Sequence, residues 1–218
     1  MDATGPRTPL PLVLLTGPLA PPGGAAALAD ALGASAPVLA PELSLDPRRP
    51  AGLGLPAGAV LAALAAAGGA AAVLCGLGYG ALVALQVAAD QPGRVRGLVL
   101  CTNARPVGTA VRSLHGGVVG LLPARTLQAW GGGPRQALQS LDQVRPLDYA
   151  PLAARVVAPV LVPYGEQDRL NVRPSTQLAR SLAAGRAAAV TGAGPGWTWA
   201  EPDRYAALVA AFAAQVGA

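Results

Sequence analysis

Apolar residues in this chain fall in short, unbroken runs that alternate with longer Ala-rich stretches. The runs at 10–16, 37–40, 71–76, 95–101, 158–164 and 187–191 have the length of strands, and their lack of polar alternation predicts burial on both faces. Between them, 24–33, 57–68, 79–90, 175–184 and 201–215 read as helices. The Pro- and Gly-rich stretch 41–55 reads as a loop, and 104–150 is mixed in character. This alternation predicts an α/β fold: a mostly parallel sheet of about six strands with helices on both faces. Ligands of such sheets bind beyond the carboxyl ends of the strands. Chemistry is therefore expected just after Thr16, Gly76, Cys101, Tyr164 and Thr191.

Composition narrows the class. The 218 residues suit one domain spanning 1–218, with 104–150 as a short insertion. At 52% hydrophobic and 12% charged residues, the chain can bury a core and is not of the disordered type. All 16 basic residues are Arg. With the abundant Ala and Gly, this is the pattern of GC-rich coding, so neither residue's frequency carries much information. A net charge of +5 raises nucleic acid as a partner. The arginines do not cluster beyond Arg48-Arg49 and Arg94/Arg96, however, and no aromatics interleave with them. A solvated basic surface is the expected reading, with no nucleic-acid partner. Two cysteines and a single histidine supply neither a disulfide framework nor a zinc site, and no metal or other cofactor is expected. The run Leu10–Leu15 after Arg7 is short and broken by Pro11, which suits a strand and its turn better than a signal peptide. No run is long enough for a membrane span, so a cytoplasmic protein without membrane attachment is expected.

Four segments, in order, carry a resemblance to a known family. The first is Val73-Leu74-Cys75-Gly76-Leu77-Gly78-Tyr79-Gly80-Ala81, with the helix to Gln91-Pro92 and the strand Val95–Leu100. The second is Pro159–Tyr164 followed by Gly165-Glu166-Gln167-Asp168. The third is Gly192-Ala193-Gly194-Pro195-Gly196, then Glu201-Pro202-Asp203 and a final helix, and the fourth is the opening strand ending Thr16-Gly17. Over nearly the whole chain the sequence resembles the α/β-hydrolase family. The resemblance implies a nucleophile elbow at Gly76–Gly80, an acid at Asp168, a base in the turn 192–196, and a reduced cap at 104–150.

The chemistry the resemblance implies is incomplete. Where G-x-S-x-G places serine on a strained turn, this chain has Gly78. A plain Gly-rich turn is one reading of that segment. A phosphate loop is another, but the spacing is not G-x-G-x-x-G and no acidic residue follows at the dinucleotide-binding distance. Pro195 stands where the base is expected, and proline transfers no proton. Of the two oxyanion donors, the Tyr79 N–H is retained, whereas the second falls at Pro18, which has no N–H. Losing one such donor costs about 3–4 kcal/mol of transition-state stabilisation.

Asp168 is either a turn residue paired with Arg169 or Arg173, or a carboxylate at the floor of a cleft that acts as a base or orients a substrate. His115 reads as a hydrogen-bonded or solvent-facing residue, or as one reaching into the cleft from the insertion. Trp130 and Trp197 are core residues or the walls of an aromatic cleft, and Thr16, Gly17 and Gly78 would line its base. Cys75 and Cys101 read as small core residues, since a thiolate would need a base and none is visible.

Three functions follow. The first is a non-hydrolytic catalyst of the cyclase or lyase type, which folds a largely apolar, carbonyl-bearing small molecule by positioning it. There Tyr79 and Asp168 would be the catalytic groups, with Thr16, Gly17, Gly78, His115, Trp130 and Trp197 binding substrate. The second is a protein that only binds a small molecule or a protein partner. The third is a hydrolase or transferase with another nucleophile, from Cys75 or the insertion.

Overall fold

The computed structural model describes residues 9–17, 20–43, 53–101 and 149–218. The expected strands form one six-stranded sheet: β1 (Leu12–Leu15), β2 (Val38–Leu39), β3 (Ala72–Leu77), β4 (Val95–Cys101), β5 (Val160–Gly165) and β6 (Gly185–Val190). Every neighbouring pair is parallel, in the order β2-β1-β3-β4-β5-β6. The helices are α1 (Gly24–Gly33), α2 (Gly54–Ala66), α3 (Tyr79–Asp90), α4 (Ala150–Ala153), α5 (Val172–Ser181), α6 (Trp197–Ala200) and α7 (Pro202–Gly217).

The period-two alternation of side chains sorts each strand onto two apolar layers. Val13, Leu15, Leu74, Leu98, Leu100, Val160 and Val162 face a core closed by α2, α3 and α5. Leu12, Leu14, Val73, Cys75, Val99 and Leu161 face a second core, closed by Leu28 and Leu32 of α1 and by Tyr205, Val209 and Phe212 of α7. Coverage on both faces is why the strands are unbroken apolar runs. Each fully buried Leu contributes roughly 1.5–3 kcal/mol relative to exposure.

Two helices start earlier than the sequence suggests. α2 begins at Gly54 and α5 at Val172, three residues ahead of the apolar periodicity in each case. Each start brings a proline, Pro56 or Pro174, into the first helical turn. The missing N–H has no intrahelical partner to lose there.

Strand order also positions the site. From β1 the chain moves outward to β2, then returns to β3 on the other side of β1. β1 therefore leads to α1 under one face, whereas β3 leads to α3 on the other. Loops that part in this way leave a crevice at the carboxyl edge.

Among the described residues no helix is long and apolar enough to cross a membrane.

Candidate functional site

The candidate site at the carboxyl edge of the sheet is built on the segment Gly76–Gly80. At Gly76 an added Cβ would stand 2.6 Å from the Ala81 Cα, and at Gly80 it would stand 1.9 Å from the Leu15 carbonyl oxygen. Both glycines are needed because strand, turn and helix approach this closely. Gly78 differs. Its backbone sits at φ 56°, ψ −116°, a conformation that strains residues with side chains, yet a Cβ there would meet nothing within 4 Å among the described residues. Gly78 is exposed, and its N–H donates to the Cys101 carbonyl at 2.8 Å, tying the turn to the end of β4. The sharp turn is thus intact in the backbone, and no described residue closes over it.

Tyr79 is the first residue of α3, so its N–H has no acceptor within the helix and lies at the positive end of the helix dipole. Gly17 abuts it: a Cβ on Gly17 would be 2.9 Å from the Tyr79 Cβ and 3.4 Å from its nitrogen. Thr16 and Gly17, both half-buried, thus bring the turn after β1 against the head of α3. Partial burial raises the Tyr79 phenol above its ordinary value, so it stays a proton donor at neutral pH.

Asp168 follows β5 and is 3% exposed, the one buried charged side chain among the described residues. Its Oδ2 accepts a hydrogen bond from Asn171 Nδ2 at 2.5 Å, while its Oδ1 is buried with no hydrogen-bond partner. Arg169 and Arg173 are exposed, and neither forms an ion pair with it. The turn carrying Asp168 is fused to the turn after β6. Gln167 N–H donates to the Ala193 carbonyl at 2.9 Å, and Gly192 N–H donates to Glu166 Oε2 at 2.9 Å. Gly165 packs so closely that a Cβ would stand 2.6 Å from the Ala193 oxygen. Arg204 of α7 donates to the Thr191 carbonyl at 2.6 Å and pairs with Glu201 at 3.0 Å, anchoring the far side. Pro195 is exposed on this braced turn.

The other candidates fall elsewhere. Trp197 is buried in the second core, edge-to-face with Tyr205 at a centroid distance of 6.0 Å. Cys75 is fully buried there, and desolvation pushes its thiol up to about 12 in spite of the neighbouring Tyr205. Desolvation also raises the thiol of Cys101, at the end of β4, and the phenol of Tyr205. These groups stay protonated through neutral pH and supply no nucleophile. His115, Trp130 and Pro18 lie outside the described residues. A groove of about 250 Å³ between α1 and α7 is lined by Ala31, Ala34, Ser35, Asp203, Ala206 and Ala210, and none of the candidate site residues borders it.

Asn171 and Glu166, which brace this turn, are residues to which sequence reasoning assigns no part. The only signal for Asn171 is its place three residues after Asp168 in a turn-rich segment, where Asn has many local uses.

Solved structures of this fold surround the chain. It is similar to an esterase from Thermogutta terrifontis (18% identity, TM-score 0.71, covering 96% of this chain and 91% of that one). It is similar to MenH from S. aureus (15%, TM-score 0.73, covering 100% and 98%) and to an enol-lactonase from Burkholderia xenovorans LB400 (20%, TM-score 0.69, covering 97% and 93%). At these identities the likeness shows the α/β-hydrolase fold. No protein-family model and no curated protein matches the sequence.

Proposed function

We propose that this protein is a non-hydrolytic catalyst on the α/β-hydrolase fold, of the cyclase or lyase type, acting on a largely apolar, carbonyl-bearing molecule held above Gly78. The observation that carries this reading is the contrast within one turn. The strained backbone of Gly78 is kept and no described residue stands within 4 Å of where its Cβ would be, yet it bears no nucleophile. At the position where the resemblance expects a base stands Pro195, which moves no proton.

What remains suits positioning and proton transfer. The Tyr79 N–H, at the head of α3, is oriented to receive a carbonyl oxygen or the enolate oxygen that develops from it. The protonated Tyr79 phenol is a second donor. Asp168, with one oxygen held by Asn171 and the other unpartnered, is the candidate base. A preorganised site of this kind accelerates an intramolecular reaction by fixing geometry, with no covalent step.

A second reading is hydrolysis through another nucleophile. It is favoured by the similar solved structures named as an esterase and an enol-lactonase. The buried thiol of Cys75 argues against the nearest substitute.

Incubation with an apolar lactone separates the two. The proposal predicts a saturable shift of the Tyr79 amide resonance and quantitative recovery of intact lactone. Ring opening above the solution background would support hydrolysis instead, and a Tyr79 amide that never moves would remove the proposed carbonyl site.

A further inference from the structure

The two oxygens of Asp168 are in different circumstances. Asn171 holds Oδ2 at 2.5 Å, while Oδ1 has no partner although the residue is 3% exposed. Buried carboxylate oxygens are rarely left unpaired, because the charge has lost its water and gained nothing in return. Among the described residues no cationic side chain answers it: Arg169 and Arg173 are both exposed.

The strand pairing beside this turn stops short of the strand ends. The ladder between β4 and β5 consists of Leu98 with Val160 and Val99 with Leu161, although β4 runs on to Cys101 and β5 to Gly165. Beyond that ladder the carboxyl ends of the two strands are unpaired with each other, between the turn of Gly78 and the turn of Asp168. On the adjoining turn, a Cβ on Gly194 would meet nothing within 4 Å among the described residues, as at Gly78.

We infer that the unpartnered oxygen of Asp168 is the docking point for a hydrogen-bond-donating group of the ligand itself, a hydroxyl or a protonated nitrogen. This deepens the proposed reading of the cleft and rests on it. The molecule bound there carries a carbonyl for Tyr79 and a donor for Asp168. The two groups lie within the roughly 10 Å spanned by two strand spacings between β3 and β5. A purely hydrocarbon ketone would leave the carboxylate unpaired and bind poorly.

Imidazolium is a suitable probe, being small, planar and equipped with N–H donors. Thiazole has nearly the same ring shape and no N–H. The side-chain carboxyl carbon of Asp168 is followed by NMR in the labelled full-length protein near pH 6. The expected result is a saturable shift with imidazolium, none with thiazole, and affinity at least tenfold weaker in Asp168→Asn. The inference is overturned if the resonance stays still, if thiazole moves it equally, or if Asp168→Asn binds imidazolium unchanged. Should that variant not fold, the two probes on the wild-type protein decide the matter alone. Lactone ring opening by the wild type would defeat the non-hydrolytic reading without touching this result, so the two failures are distinguishable.

Discussion

Three glycines within five residues hold the site together for two different reasons, and substitution separates them. Gly78→Ala puts a methyl where no described residue stands within 4 Å but forces it onto a backbone at φ 56°, so a loss of about 1–3 kcal/mol is expected from strain alone. Gly80→Ala places its Cβ 1.9 Å from the Leu15 carbonyl oxygen, and β1 and α3 must separate to admit it. Urea unfolding should show Gly80→Ala as clearly the more damaging; the reverse order would mean that strand and helix are less tightly joined than described. The buried thiol of Cys75 gives a pH prediction. Its folded value of about 12 lies above the ordinary 9.0, so its contribution is fully present below pH 9 and is lost as pH rises toward 12. Across that window the folded state keeps a proton that the unfolded state releases, and stability should fall by about 1.4 kcal/mol per pH unit from this group. Cys75→Ala should flatten that decline in urea titrations between pH 9 and 11, and an unchanged slope would show that the thiol is not desolvated. The spacing of Gly76, Gly78 and Gly80 made the turn legible in sequence. The Asn171 clamp was not, because it exists only once the turn after β5 has closed.

The elements were legible where one physical signal dominated. Buried strands declared themselves as apolar runs, since α/β layering removes any polar face. The starts of α2 and α5 were obscured by prolines, which mark a loop and a first helical turn with equal force. The contact of α7 with β4 was beyond sequence reasoning, because it pairs residues far apart in the chain. There the ring of Phe212 fills the space over Gly97, where a Cβ would stand 2.8 Å from the ring edge. Phe212→Ala should cost about 3–5 kcal/mol by leaving a cavity, and Gly97→Ala about 1–3 kcal/mol by overpacking. Combined with Phe212→Leu, Gly97→Ala should cost less than the sum of the two single changes, as expected for residues in direct contact. Strict additivity in a double-mutant cycle would mean that the two do not touch.

At the scale of the whole molecule, strand order explains why the site lies where it does. The chain reverses direction across β1, the turns after β1 and β3 meet at Gly17 and Tyr79, and the turns after β5 and β6 are stapled through Glu166 and Gln167. Four turns anchored in this way make a braced floor at one edge of the sheet. Sequence alone gave the positions of these turns, through the resemblance of four spaced segments. It did not give the free oxygen of Asp168 or the burial of Trp197 against Tyr205, which depend on packing between distant elements. The central proposal is that this floor keeps a sharp turn at Gly78 without carrying out nucleophilic hydrolysis there. The most direct measurement is intact-mass spectrometry after exposure to a fluorophosphonate, on the wild type beside Gly78→Ser/Pro195→His. The account predicts no adduct on the wild type and slow formation of a single adduct on the introduced serine of the variant, because the turn is shaped for it and Pro18 offers no second N–H. A stoichiometric adduct on the wild-type chain would contradict it.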